Sequence, residues 1–298
     1  MEINLQYLPN NFNKMKKRHF HIVLFFFICA NGVHAQRIEI YEHAILEVEY
    51  YRRQVTDTLD RDNDFFGDVI RLCIGKNMSM FYNHKSVWYD SLGCYNPDLQ
   101  WTIRENYYNN KESYQNNPPF GRNLEVIYKD HKNKTLNLYF SGFNAWHYSE
   151  ELEKPQWTLL DSTKIILDYS CQLAVSLYRG RTWYAWFAFD IPISDGPWKL
   201  HGLPGLILEA YDSDKDYTFI AKGMRQEGVP DIALYNYKER EWLTTTRMQY
   251  LKIRHRSINT NQAAMYSNMY NLNLQGCMNN TKPPHRNYDL EERDYHDK

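Results

Sequence analysis

The sequence predicts a mainly β, α+β fold: a single curved antiparallel β-meander or half-open barrel packed on a C-terminal helical segment. Three observations carry this. Short apolar stretches with period-two alternation recur along the chain, separated by turn residues. A 3-4 spaced apolar stripe appears only late, from residue 239 to 271. The 298 residues are 16% aromatic with 25 Tyr, and no linker composition divides them, so one large domain is the simplest organisation.

Taken in order, residues 1–35 are read as upstream residues and a cleaved signal peptide. Lys14, Lys16, Lys17 and Arg18 precede a short apolar core, Phe20 to Ala30, and Val33-His34-Ala35 fits a cleavage site after Ala35. Met15 is the expected start. The apolar core is too short to span a bilayer comfortably. Ile28 before Cys29 is too large for the usual lipoprotein signal. The expected location is the periplasm or cell surface of a Gram-negative bacterium.

Residues 36–278 form the expected domain. In 37–55, Ala44, Leu46, Val48 and Tyr50 share one parity and Glu47 and Glu49 the other, giving a half-buried strand. Residues 68–75 and 79–84 flank Lys76-Asn77 as a hairpin. Residues 123–140 form a second hairpin, turning near 130–134. Residues 164–193 read as two strands around Arg179-Gly180, and 203–224 as two more, turning at Asp212–Asp216. Residues 105–122, rich in Asn, Tyr and Pro, read as a surface loop. Met248, Leu251, His255, Ile258, Gln262, Met265 and Met269 form the helical stripe. Residues 279–298 are polar and read as an extended or frayed tail.

Charge and cysteines bound the function. The net charge is −1. Removing residues 1–35 leaves 31 basic and 35 acidic residues, a net charge of −4. That lacks the basic excess of a nucleic-acid binder. Cys73, Cys94, Cys171 and Cys277 remain. An even count in an exported chain permits intramolecular disulfides in three connectivities, and buried thiols are the other reading.

Motifs for common chemistries are missing. There is no H-E-x-x-H, G-x-S-x-G or phosphate loop. No cofactor is expected. His43, His84, His131, His147, His201, His255, His285 and His296 are scattered, which indicates no local metal site. Asp212, Asp214 and Asp216 alternate, without the Gly and Glu of a calcium loop.

The densest constellation is 180–212. Arg181, Trp183, Trp186, Trp198, Lys199 and His201 lie there and are the candidate ligand- or partner-binding side chains, with cation–π chemistry available. The structural alternative is a forced re-entry of the chain into the core, with Trp198 as the anchor. Gly202 and Gly205 allow positive φ or close backbone approach, and Pro204 belongs at a turn or bulge.

The same block resembles the GLPGLI family of exported Bacteroidota-type proteins. "YSCQLA" (169–174), "GRTWYAWFAFDIPISDGPWKLHGLPGLILEAYD" (180–212) and Trp157 carry the resemblance. The matching signature positions are Gly180, Arg181, Trp186, Pro192, Gly196, Pro197, Trp198, Lys199, Gly202, Leu203, Pro204, Gly205, Leu206, Ile207 and Asp212. The resemblance implies export and supplies no catalytic residue. "NYDLE" (287–291) is similar to the family's terminal motif but lacks its Pro.

The expected function is a non-enzymatic, exported binding module. An apolar ligand would sit on the concave sheet face, as in carriers, or an envelope protein would be the partner. The enzymatic alternative is an envelope hydrolase in which Asp190, His201 and Asp212 converge for acid–base work, with Arg181 nearby. A metal site from dispersed histidines and the Asp-rich tip is a third reading.

Overall fold

The computed structural model describes residues 38–109, 119–121, 124–142, 144–258 and 290–295. In chain order these carry β1 (Ile38–Glu42), β2 (Leu46–Val55), β3 (Phe65–Ile74), β4 (Met78–Tyr82), α1 (His84–Tyr95), α2 (Pro97–Asn109), β5 (Glu125–Asp130), β6 (Thr135–Ser141), β7 (Ala145–Glu151), β8 (Thr158–Ile166), β9 (Tyr169–Tyr178), β10 (Arg181–Ala188), β11 (Leu206–Asp212), β12 (Tyr217–Arg225), β13 (Ile232–Tyr235), β14 (Leu243–Thr244) and α3 (Arg247–Ile258).

Twelve strands form one sheet in the order β14-β7-β6-β5-β4-β3-β2-β12-β11-β10-β9-β8. It is two meanders zipped together where β2 pairs with β12. All pairs are antiparallel except the short β14 against β7. Adjacent strands rotate by about 20–25°, so a sheet this wide must curl. The curl is visible in one contact. The Arg179 guanidinium, after β9, lies 3.0 Å from the Glu150 carboxylate on β7. Those strands are second from opposite edges, yet their side chains meet across the hollow. The sheet does not close into a barrel.

Period-two alternation sorts the side chains. Val48 and Tyr50, Ile70 and Leu72, Leu136 and Leu138, and Trp183 and Phe187 point into the hollow and join one core. The hollow is filled by the chain itself. Trp198, Leu200 and Leu203 from the β10–β11 connection enter it, as do Tyr250 and Leu251 of α3, and Leu290 and Tyr295. On the outer face a smaller cluster of Cys73, Met80, Tyr82 and Tyr128 packs with Ile232. The two-stranded β1–β13 sheet and α1 lie over it.

The predicted hairpins form as β3–β4, β5–β6, β9–β10 and β11–β12. Several expectations are corrected. Residues 164–166 end β8 instead of starting β9. Leu167 and Asp168, both at positive φ (49° and 67°), make the turn. Such a turn normally advertises itself with Asn or Gly, and neither is present. Residues 84–109 are a helical hairpin, so the expected loop at 105–122 begins as the end of α2. Its helices escaped detection because α1 buries no residue and so needs no apolar stripe. A cap marks its start: the Asn83 side chain accepts from the Lys85 and Ser86 amides. The late helix is described as far as Ile258, the fourth residue of the stripe. Met248, Leu251 and His255 lie on α3, whereas Gln262, Met265 and Met269 fall outside the described residues.

Part of the tail is also corrected, at residues 290–295, whereas 279–289 and 296–298 lie outside the described residues. Leu290, Glu291, Glu292 and Tyr295 are buried, because basic side chains from the sheet and α3 receive the carboxylates. Cys73, Cys94 and Cys171 form no disulfide with one another; Cys277 lies outside the described residues. Burial pushes the Cys73 thiol up to about 12 and that of Cys171 up to about 11. Neither should react with a thiol reagent at pH 8 until the protein unfolds. Rapid native labelling of either, read by mass spectrometry, would contradict this packing.

Candidate functional site

The block from Arg181 to Asp212 begins as a strand. Arg181, Trp183, Ala185 and Phe187 of β10 face the hollow and are buried; Tyr184 and Trp186 face outward, half-buried. The chain then leaves the sheet and folds back over it. The Leu206 amide donates to the Ile191 carbonyl at 3.0 Å, and the Ile207 amide to the Asp195 carbonyl at 3.0 Å. These bonds bring the start of β11 against the connection it emerges from. Gly205 is required at the crossing. A Cβ there would stand 2.1 Å from the Ala188 carbonyl oxygen, a backbone atom that cannot rotate away. Gly205→Ala should therefore cost at least about 1–3 kcal/mol, the range of overpacked cores, measurable by urea denaturation.

Trp198 sits at the bottom of this crossing. Its φ is +54°, an uncommon backbone state for a tryptophan. Its ring lies 5.3 Å from that of Trp183 and 6.1 Å from that of Tyr178. Trp198 thus anchors the connection in the core.

Three buried ion clusters surround it. Lys199, fully buried, donates to Glu150 at 2.7 Å and to Tyr148 Oη at 2.9 Å, and it pairs with Glu292 at 2.7 Å. Glu292, Tyr148 and Glu150 together outweigh burial and hold the ammonium well above its ordinary range. In the second cluster, Arg181 Nη1 donates to Asp212 at 2.7 Å and lies 3.4 Å from Asp216. In the third, Asp195 takes Lys129 on one oxygen and His131 Nε2, 3.0 Å away, on the other. Burial opposes ionisation of Asp195, but Lys129 and His131 hold its carboxyl well below the usual range.

His201 lies beside this third cluster, its ring 6.0 Å from that of His131. Its Nδ1 is 3.1 Å from the Lys199 carbonyl. Burial, then the Lys129 charge, lowers its pKa to about 4. Folding therefore excludes a proton that the unfolded chain binds near pH 6.5. Stability should fall as pH drops from about 6.5 towards 4, by no more than about 1.4 kcal/mol per pH unit from this group. His201→Leu should flatten that slope in chemical denaturation. The Asp195 contribution is present above the carboxylate range and is lost only as pH falls below about 4 through its depressed folded pKa.

The expected site residues thus divide. Arg181, Trp183, Trp198, Lys199 and His201 are interior, each engaged within the chain or packed in the core. As folded, they offer no surface to a partner. Trp186 alone of the six faces outward, with Lys164 Nζ 4.5 Å above its ring. Asp190, His201 and Asp212 do not converge. Asp212 pairs with Trp183 near the start of β10, whereas exposed Asp190 lies beyond the strand's end at Ala188. Five residues at 3.3 Å separate those strand positions by about 17 Å. The fold instead brings His131 to Asp195, which sequence reasoning missed. The two are 64 residues apart and no spacing rule links them.

The oxygens of Asp212, Asp214 and Asp216 do gather. Arg181, Arg61 and Arg293 already pair with them, at 2.7, 3.0 and 3.1–3.2 Å. Three guanidinium groups leave little charge for a metal ion to neutralise.

Two of the crevices among the described residues are small. One lies between α1, β5, β6 and residues 234–242, walled by Tyr128, Tyr139, Tyr235 and Trp242, and holds about 30 Å³. The other, between Trp198, Tyr250 and Leu290, holds about 10 Å³. Ligand pockets typically need about 300–1,000 Å³. In the hollow of the sheet, Trp198, Leu200, Leu203, Tyr250, Leu251 and Leu290 pack into the core.

A family model described as a protein of unknown function (Porph_ging) matches residues 177–209. That span runs from the end of β9 into β11 and contains the crossing just described. No curated protein matches the chain. Among solved structures, the chain is similar to PNGF-II in two crystal forms. In the P21 form the identity is 15% and the TM-score 0.46, covering 70% of this chain and 32% of that one. In the C2 form the values are 15%, 0.46, 69% and 31%. The chain spans about a third of the length of those proteins.

Proposed function

We propose that this protein is an exported cell-envelope interaction module, without enzymatic activity, that binds a partner protein through its helical hairpin. The export reading rests on the basic and apolar pattern of residues 14–35. The binding reading rests on one observation. On α1 and α2, Trp88, Tyr95, Leu99 and Trp101 are 39%, 67%, 41% and 64% exposed. Tryptophan is enriched at the cores of interfaces, where its large apolar area and single donor are both used. α1 buries no residue, and Trp88, Leu92 and Tyr95 fall on one of its faces at i, i+4 and i+7. Tyr95 meets the Tyr237 ring edge-on at 5.8 Å, and both Tyr95 and Trp88 stay exposed beside that contact.

The test replaces Trp88 and Trp101 with Glu and compares native mass spectra of protein purified gently from its own envelope. The unmodified chain should carry a stoichiometric protein partner. The double variant should lose it while keeping its melting temperature within a few degrees. A bare monomer in both samples would defeat this reading. A retained small molecule would favour a carrier.

A further inference from the structure

The described end segment, Leu290 to Tyr295, occupies the hollow as a ligand occupies a groove. Its Leu290 carbonyl accepts two bonds from one guanidinium, Arg181 Nε at 3.0 Å and Nη2 at 2.7 Å. Arg52 of β2 pairs with Glu291. Glu292 receives Lys199 at 2.7 Å and Arg247 of α3 at 2.6 Å. Arg247 continues to both oxygens of Asp294 at 2.8 Å. The Arg293 amide donates to the Arg179 carbonyl at 2.8 Å. Leu290 and Tyr295 insert into the core at either end.

Five cations from β2, the β9–β10 turn, β10, the β10–β11 connection and α3 thus surround one short acidic peptide. Forked guanidinium bonds to a main-chain carbonyl, with carboxylates read by fixed cations, are the chemistry by which grooves recognise acidic peptides. The segment adds no strand to the sheet. Its contacts combine two main-chain groups, the Leu290 carbonyl and the Arg293 amide, with carboxylates received by cations of the rim.

We propose that this groove is a peptide-recognition site and that the acidic end segment of a second copy fills it in reciprocal exchange. The same six residues make the same contacts in either copy, so exchange forfeits none of them. Roughly 30 residues separate α3 from Leu290, which can reach up to about 100 Å when extended. That length is ample to cross to a neighbouring hollow. Arg181 and Lys199, expected as partner contacts, then contact a partner of this chain's own sequence. The proposal is independent of the helical-hairpin reading.

The probe is a fluorescent peptide of residues 286–298, titrated into the full chain and into its Glu291→Gln/Glu292→Gln variant. The variant's own segment competes less, so it should bind the peptide about tenfold more tightly than the unmodified chain. A peptide carrying both Gln substitutions should bind neither. Flat anisotropy with a folded variant overturns the proposal. Should the variant not fold, hydrogen exchange on the unmodified chain decides. Amides 290–295 should exchange at least about tenfold faster than those of β2 and β10. Equal protection means that the segment leaves only on global unfolding, and overturns it. Mixing isotopically heavy and light full chains should give mixed dimers by native mass spectrometry at high concentration. Their absence overturns the second-copy assignment.

Discussion

Lys199→Met should cost about 3–5 kcal/mol of folding stability, the range for breaking a buried ion pair from one side. The ammonium is fully buried with Glu150 and Glu292 both 2.7 Å away. Removing it takes away the buried cation shared by Glu150 and Glu292 and leaves the Tyr148 hydroxyl without its donor. Arg179 and Arg247 remain near both acids, which keeps the loss from growing larger. Adding Glu292→Gln to Lys199→Met should recover part of the loss, because the uncompensated charge is then removed. Lys199→Arg should not be neutral, since a planar fork cannot occupy the place of a compact ammionium-type donor set. Urea denaturation of the three variants gives the measurement. A loss under about 1 kcal/mol for Lys199→Met would place this network among weakly contributing surface pairs.

Trp198→Ala should cost about 3–5 kcal/mol, as for other large aromatic truncations in cores. The ring fills the space between Trp183 and Tyr178 under the crossing connection. Its removal leaves a cavity that Gly196 and Gly205 on the same connection cannot fill. Relief of the positive φ contributes nothing, because alanine is also disfavoured there. Near-UV circular dichroism should lose the signal of the coupled Trp183–Trp198 pair, and the urea midpoint should fall at nearly constant m. An intact fold with unchanged stability would return Trp198 to the role of a site-lining residue.

Much of the sheet was legible in the sequence, for a local reason. Alternation at β2 assigns Leu46, Val48 and Tyr50 to one face, and the hairpin tips at Lys76-Asn77 and Asp212–Asp216 carry polar turn chemistry. Such signals lie within a few residues of one another. The α1–α2 hairpin was not legible. Its helices bury almost nothing, the Trp88, Leu92 and Tyr95 spacing on α1 spans only two turns, and the Asn83 cap marks the start without announcing a long apolar stripe. The Leu167-Asp168 turn was hidden because ordinary residues hold positive φ there.

The candidate site shows the same division. The Gly-Pro block announced a constrained backbone, and Gly205 against the Ala188 carbonyl is the constraint. The partners of its charges could not be read. Arg181 finds the Leu290 carbonyl 109 residues away, and Lys199 finds Glu150 49 residues before it. A charge attracts any opposite charge that the fold brings near, and no periodicity encodes which one that is.

By itself, then, the sequence determined strand identity, most hairpin turns and the position of the chain's most constrained connection, because these follow from side-chain alternation and backbone sterics. Only the tertiary structure decided that the hollow is full, that the motif's cations are interior and that the polar end segment is part of the core. Those outcomes depend on which distant segments a curled sheet brings together, and burial energy acts through space without regard to separation along the chain.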